Sequence, residues 1–220
     1  MKKEDKLIMV VRRQDLFRSP EGFDDSFNGF KSIEKIDYES RILNNYGFMT
    51  RKFAEKDSNY KQPIGYCAIV NPTLKKIFSF QRSKKDDNYS EKNMQGKFSW
   101  GAGGHIEKDD MHDENANPIY NSLLREVTKE EVEIINGSIS IPKALGYIND
   151  DKNDVGKLHF GILYLIETDS TEIIPKDPEI DNGKLRNINE LEQLLKLPEI
   201  EVEEWSRISF MPLKAYLKNL

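Results

Sequence analysis

Apolar residues come along this chain in short runs of two periods, broken by Gly, Pro, Asn and Asp, a pattern that predicts an α/β fold. A first run over residues 7–11 reads as a strand. Residues 64–70 and 76–82 are β-branched runs joined by Asn71-Pro72-Thr73-Leu74, which predicts a hairpin. Residues 98–100 form a short strand delivering the chain to Gly101. Asn117-Pro118 is a helix start signal, because Asn can cap free N–H groups and Pro is tolerated in the first turn. From Pro118, Tyr120, Leu123, Leu124, Val127 and Ile134 fall on one stripe at roughly 100° per residue. Residues 138–148 read as a strand despite Pro142, and 149–154 as a turn. Residues 156–167 form the next strand, with Leu158, Phe160, Ile162, Tyr164 and Ile166 on one face and His159 and Gly161 on the other.

Residues 168–183 are acidic and contain proline, which predicts a loop before a last strand at 184–188. Residues 189–197 fit a helix capped by Asn189, and 200–217 a second helix that Pro212 kinks or breaks. Residues 15–62 are mixed, with scattered aromatics better suited to a core than to base stacking, and read as a helical and looped extension partly covering the site.

A length of 220 residues with 37% hydrophobic content supports one domain with a real core, and no internal repeat or low-complexity tract interrupts it. A net charge of −5 excludes a nucleic-acid-coating protein without excluding a nucleotide substrate. Cys67 is the single cysteine, so no intrachain disulfide can form, and its apolar setting predicts a buried structural thiol. The charged N-terminus and the five-residue run after it are too short for a signal core or membrane span, which predicts a cytoplasmic protein with no membrane partner.

The chemistry-bearing stretch runs over residues 101–134. Glycines at its start let backbone N–H groups approach a ligand, and Glu126 and Glu130, four apart, project from one edge of the helix roughly 40° from each other. Two carboxylates there fit a Mg²⁺ or Mn²⁺ ion; they equally fit a solvated acidic edge balanced by Arg125 and Lys129. Glu107, Asp109, Asp110, Asp113 and Glu114 crowd the loop before the helix. Arg82 can meet a substrate phosphate or simply sit at the surface. His105 reads as a loop hydrogen-bonder or a metal ligand.

Gly104, the acidic loop and Arg125-Glu126-Val127-Thr128-Lys129-Glu130 together resemble the Nudix box, G-x5-E-x7-R-E-U-x-E-E-x-G-U with U aliphatic. The motifs Gln81-Arg82, residues 99–106, 146–150 and 155–161 extend the likeness to a bacterial branch of MutT-type phosphoesterases. The resemblance implies an α/β/α sandwich with a mixed sheet: strand plus extension over 1–62, core over 63–188 with the box at 104–132, and C-terminal helices over 189–220. It further implies a divalent-metal hydrolase acting on a nucleoside diphosphate linked to another group. Glu126, Glu130 and Asp110 would be metal ligands, Arg125 the brace of the loop, and Gly103, Gly104 and Arg82 would line the substrate.

The chain departs from the box in three places. The segment from Gly104 to Arg125 is about seven residues longer than the pattern, so that Asp110 matches the loop glutamate only by count. Lys129 stands where the box has its first paired glutamate, and Val132 where it has glycine. These departures keep open a non-catalytic nucleotide-binding module. Histidines at 105, 112 and 159 keep open an isoprenoid-diphosphate isomerase. Outside the box, Asp150, Asp154 and His159 are candidates for a general base, with turn chemistry as the alternative. A small nucleotide or diphosphate is the expected partner; nucleic acid would enter only as a capped or triphosphate end, and a homodimer stays open.

Overall fold

The computed structural model describes residues 2–19, 21–84, 94–111 and 117–220. Most of the charged loop after Arg82, together with His112, Asp113 and Glu114, lies outside the described residues.

In chain order the strands are β1 (Leu7–Arg12), β2 (Gly29–Ser32), β3 (Gly47–Thr50), β4 (Tyr60–Asn71), β5 (Lys76–Arg82), β6 (Phe98–Ser99), β7 (Val132–Ile135), β8 (Lys143–Asn149), β9 (His159–Glu167), β10 (Glu172–Pro175) and β11 (Ile180–Asn187). The helices are α1 (Arg13–Phe17), α2 (Tyr38–Asn45), α3 (Arg51–Ala54), α4 (Pro118–Leu124), α5 (Asp154–Leu158), α6 (Ile188–Lys196) and α7 (Glu204–Lys218), and the fold is mixed α/β as the pattern predicts. The residues fall into two compact units: Met1–Tyr66, Gly103–Leu123 and Ala144–Leu163 in the first, the remainder in the second.

In the first unit β1 pairs antiparallel with β3, Leu7 opposite Thr50, and with the start of β4, Val11 opposite Lys61. Its residues Ile8, Met9, Val10 and Val11 are all buried. β2 pairs antiparallel with β8, Gly29 opposite Asn149. Phe160 on β9 sits among the rings of Phe17, Phe27, Tyr38 and Tyr147, with centroids 5.4 to 6.1 Å away. Aromatic pairs of this geometry contribute beyond their buried area. The segment over 15–62 thus supplies two strands to the sheet as well as helices, a correction to the expected helical and looped extension. β2 and β3 are only four residues long and each starts on a glycine, so no alternation could announce them.

In the second unit β5 runs between the end of β4, Val70 opposite Ile77, and β11, Arg186 opposite Ile77, and also carries β6. The β4–β5 turn is the predicted hairpin, closed with Lys75 at φ 51°. Trp100 is buried, its ring edge-on to Phe210 and its indole N–H donating to Ser209 Oγ at 3.1 Å, so α7 is fixed by both packing and a buried hydrogen bond. α7 continues through Pro212 instead of breaking there. Residues 172–175, expected in a loop, pair with β7 as β10. Ile134, expected on the helix stripe, lies on β7. α6 is capped by Asn187 in a capping box with Glu190, not by Asn189. Among the described residues no helix is long and apolar enough to cross a membrane.

Candidate functional site

Gly103 and Gly104 follow directly on the Trp100–Ala102 segment, and Gly103 has φ 151°. A Cβ there would overlap the Gly65 carbonyl of β4, so only glycine permits this backbone approach. Asp110 is 1% exposed, and its Oδ2 accepts the Glu107 N–H at 2.8 Å in a one-turn capping box. Its carbonyl accepts the Asn121 amide, which ties the loop to α4. The Glu107 carboxylate meets Lys6 Nζ at 2.7 Å. The carboxylate matched by count to the loop glutamate is thus already engaged by a backbone donor.

α4 starts as predicted, with the Ile119 N–H donating to Asn117 Oδ1 at 3.0 Å. Ile119, Ser122 and Leu123 form its buried face. In the second unit the helix opens into a wider turn over Arg125–Glu131, closed by the Val132 N–H donating to the Val127 carbonyl five residues back. The Thr128 hydroxyl donates to the Leu124 carbonyl at 2.7 Å, occupying an acceptor at the change of winding. Single turns of this wide kind recur at functional sites because they insert one residue and re-aim its neighbours.

Within that turn Arg125 Nη1 lies 2.7 Å from Glu126 Oε1 and 2.9 Å from Glu130 Oε1. One cationic nitrogen therefore touches both carboxylates. The donor set fits a hard divalent cation, since two oxygen ligands can reach a single positive centre. Arg125 and Glu126 are mostly buried (20% and 14% exposed) and the Glu130 side chain is 51% exposed. Glu131, which the sequence reading passed over, is buried at 5%. The Glu130-Glu131 doublet after Lys129 was the available signal: one inserted residue brings it into register with the paired glutamates of the box.

Arg82 is only 11% exposed: its Nε donates to Glu203 Oε1 at 2.8 Å and its guanidinium lies over Phe80. A substrate contact would require it to leave Glu203. Asp150 accepts the Lys152 N–H and the Asn153 amide, which is turn chemistry, and the Asp154 side chain is almost fully exposed beside Lys157. Cys67 is buried, and burial pushes its thiol well above the ordinary range, as expected of a structural thiol.

His105 and His159 do meet, in the first unit. His105 Nε2 lies 2.6 Å from Gln62 Oε1 and 3.2 Å from His159 Nε2. Burial, followed by the neighbouring His159, holds the His105 imidazole well below its ordinary pKa. Beside Gln62, the fully buried Lys61 donates to Asp151 Oδ1 and to the carbonyls of Gly156 and His159, at 2.7 to 3.0 Å. Arg13 grips the same Asp151 through both carboxylate oxygens. This network anchors the loop that leads into His159.

The chain is 31% identical to Protein YmaB of Bacillus subtilis (strain 168) over 196 residues, 88% of this chain and 91% of YmaB. Among solved structures Tm1382, a candidate Nudix hydrolase, matches with a TM-score of 0.72 at 26% identity, over 98% of this chain and 100% of its own. A Nudix hydrolase from Alicyclobacillus acidocaldarius matches with a TM-score of 0.52 over 70% of this chain and 91% of its own, at 8% identity, a likeness of fold alone. No protein-family profile matches the chain. The box residues, the α/β fold and these likenesses agree: the chain belongs to the Nudix superfamily and is a relative of YmaB.

Proposed function

We propose that this chain is a metal-dependent hydrolase that cleaves a phosphoanhydride bond in a nucleoside diphosphate linked to another group. The observation that carries the reading is the convergence of Glu126 and Glu130 on one nitrogen of Arg125. The Nudix hydrolases it resembles in fold support the reaction class. A Mg²⁺ or Mn²⁺ ion, when bound, supplies charge neutralisation of the diphosphate and a bound water of lowered pKa. Glu126 and Glu130 hold that cation through carboxylate oxygens, with Glu131 beside them on the wide turn. Arg125 holds the carboxylates together and can swing to the substrate as they take up metal. Asp110 stays where it stiffens the loop, and Gly103-Gly104 keep the loop backbone free of side chains.

The test is a nucleotide- and phosphate-release screen with Mg²⁺ and Mn²⁺ over nucleoside triphosphates, ADP-ribose, dinucleoside polyphosphates, NADH and capped RNA. It is run beside Glu126→Gln and Glu130→Gln. Turnover in the native chain that is lost in the variants is the expected result; full turnover in both variants sinks the assignment. A second reading, a nucleotide-binding module without turnover, is favoured by the same Arg125, because an internal cation already neutralises both carboxylates. Thermal stabilisation by nucleotide in the absence of any release would select it.

A further inference from the structure

We propose that β7 and β10 trap one extra residue in the helix that carries the carboxylates, and that Thr128 is the positioning residue that fixes where it sits. The consequence for metal rests on the hydrolase reading above; the trap itself does not. All the groups involved belong to the second unit.

The exit of the wide turn is held by a strand. β7 begins at Val132, directly after the turn, and pairs with β10 over four residues, from Pro175 opposite Val132 to Glu172 opposite Ile135. Val132 is fully buried and Glu133 is exposed. Rewinding the turn to four-residue bonds would push one residue out into β7. Glu131 would then stand opposite Pro175, and Val132 would move to the exposed position of Glu133, because a slip of one residue turns every side chain to the other face. The chain beyond β10 closes the same end. The N–H groups of Lys176 and Asp177 donate to the Glu131 carbonyl at 2.8 and 3.3 Å, and Lys176 Nζ donates to the Lys129 carbonyl at 2.8 Å. Carbonyls at a helix end have no helical N–H to meet, so these bonds tie the end to β10 in its present register.

Thr128 sets the entry. In a regular helix the Leu124 carbonyl accepts the N–H of residue 128. Here the hydroxyl of that same residue occupies it at 2.7 Å. A threonine hydroxyl that bonds four residues back competes with the backbone ladder and loosens the helix there. In five-residue winding that carbonyl belongs to residue 129, so the N–H of residue 128 is passed over at the change. The side chain thus stands in for its own backbone donor. Without the hydroxyl, residue 128 can take the Leu124 carbonyl through its N–H, and the change of winding moves toward β7. Glu130 and Glu131 then turn relative to Arg125 Nη1, which now touches Glu126 and Glu130.

The experiment compares the full native chain with Thr128→Val, which keeps the shape and loses the hydroxyl, and with Thr128→Ser, which keeps the hydroxyl. Amide hydrogen exchange over residues 124–132 is read by NMR without metal, and Mn²⁺ affinity by calorimetry without substrate. In the native chain and in Thr128→Ser the residue-128 amide should be less protected than those of its helical neighbours. In Thr128→Val protection should rise at residue 128 by about tenfold and fall within 129–131, a gain that a merely structural loss would not produce. Mn²⁺ should bind about tenfold more weakly to Thr128→Val and almost unchanged to Thr128→Ser. A native residue-128 amide as protected as its neighbours overturns the proposal. So does a Thr128→Val exchange pattern like the native one, or an Mn²⁺ affinity that stays put after the pattern has moved. A native chain that binds no Mn²⁺ removes the hydrolase reading instead, and the exchange pattern still decides the trap.

Discussion

Gly103 and Gly65 face each other backbone to backbone, so closely that a single methyl group on Gly103 would overlap the Gly65 carbonyl oxygen. The glycine that precedes the box's leading glycine is therefore fixed by packing against β4, whatever else it does for a ligand. Gly103→Ala has to move one of two backbones and also strain a residue at φ 151°. We expect a loss of about 2 kcal/mol or more in urea unfolding, at an unchanged slope. Stability within a few tenths of the native value would mean that the loop relaxes freely.

Asp151 bears the opposite kind of constraint. Hydrogen bonds from Arg13 and Lys61 outweigh its partial burial and hold its carboxyl well below the usual range. Its folded pKa lies below its unfolded one, so its contribution is present above about pH 4 and is lost as pH falls through the folded value. Native stability should therefore drop more steeply below pH 4 than that of Asp151→Asn. At neutral pH that substitution should cost about 3 kcal/mol, because it leaves the fully buried Lys61 ammonium without its counter-ion. Lys61→Met should cost less, since Asp151 keeps Arg13. Equal costs in chemical denaturation, or parallel acid profiles, would argue against this account.

The long elements were legible because their signals are local. The β4–β5 hairpin showed as two β-branched runs about a Pro turn, and the start of α4 as Asn117-Pro118. Four-residue strands such as β2, β3 and β10 are set by their partners, and nothing in their own composition marks them. The candidate carboxylates could be named from Glu126 and Glu130, yet the wide turn that re-aims them could not, because one inserted residue leaves no change in polarity. Gln62 was invisible for a different reason. It reaches His105 only through the pairing of Ile64 with His105, across 43 residues of sequence, and a lone amide at a strand start looks like any other.

The α6 cap separates two readings of neighbouring asparagines. Asn187 Oδ1 accepts the N–H groups of Asn189 and Glu190, and Glu190 returns the bond to the Asn187 N–H. Asn187→Ala should cost about 1 kcal/mol in thermal or urea unfolding, and Asn189→Ala almost nothing. The reverse order would restore the cap predicted from sequence.

The register of the wide turn decides which glutamates act together. In a regular helix, residues four apart share an edge, which pairs Glu126 with Glu130. Over Arg125–Glu131 the closing bond spans five residues, which turns Glu131 toward the edge on which Glu126 and Glu130 meet Arg125 Nη1. Exposure points the same way: Glu131 is buried where the half-exposed Glu130 can be replaced by water. Lys129 then stands as the inserted residue, and Glu130-Glu131 as the paired glutamates. On the proposed hydrolase reading, Glu131→Gln should raise the Mg²⁺ concentration for half-maximal turnover by about tenfold or more, and Glu130→Gln by less. The measurement is a Mg²⁺ titration of turnover in both variants, with circular dichroism to verify that each is folded. A larger shift in Glu130→Gln, with Glu131→Gln behaving as the native chain, would mean that the ligands follow regular four-residue spacing and that the wide turn serves packing alone.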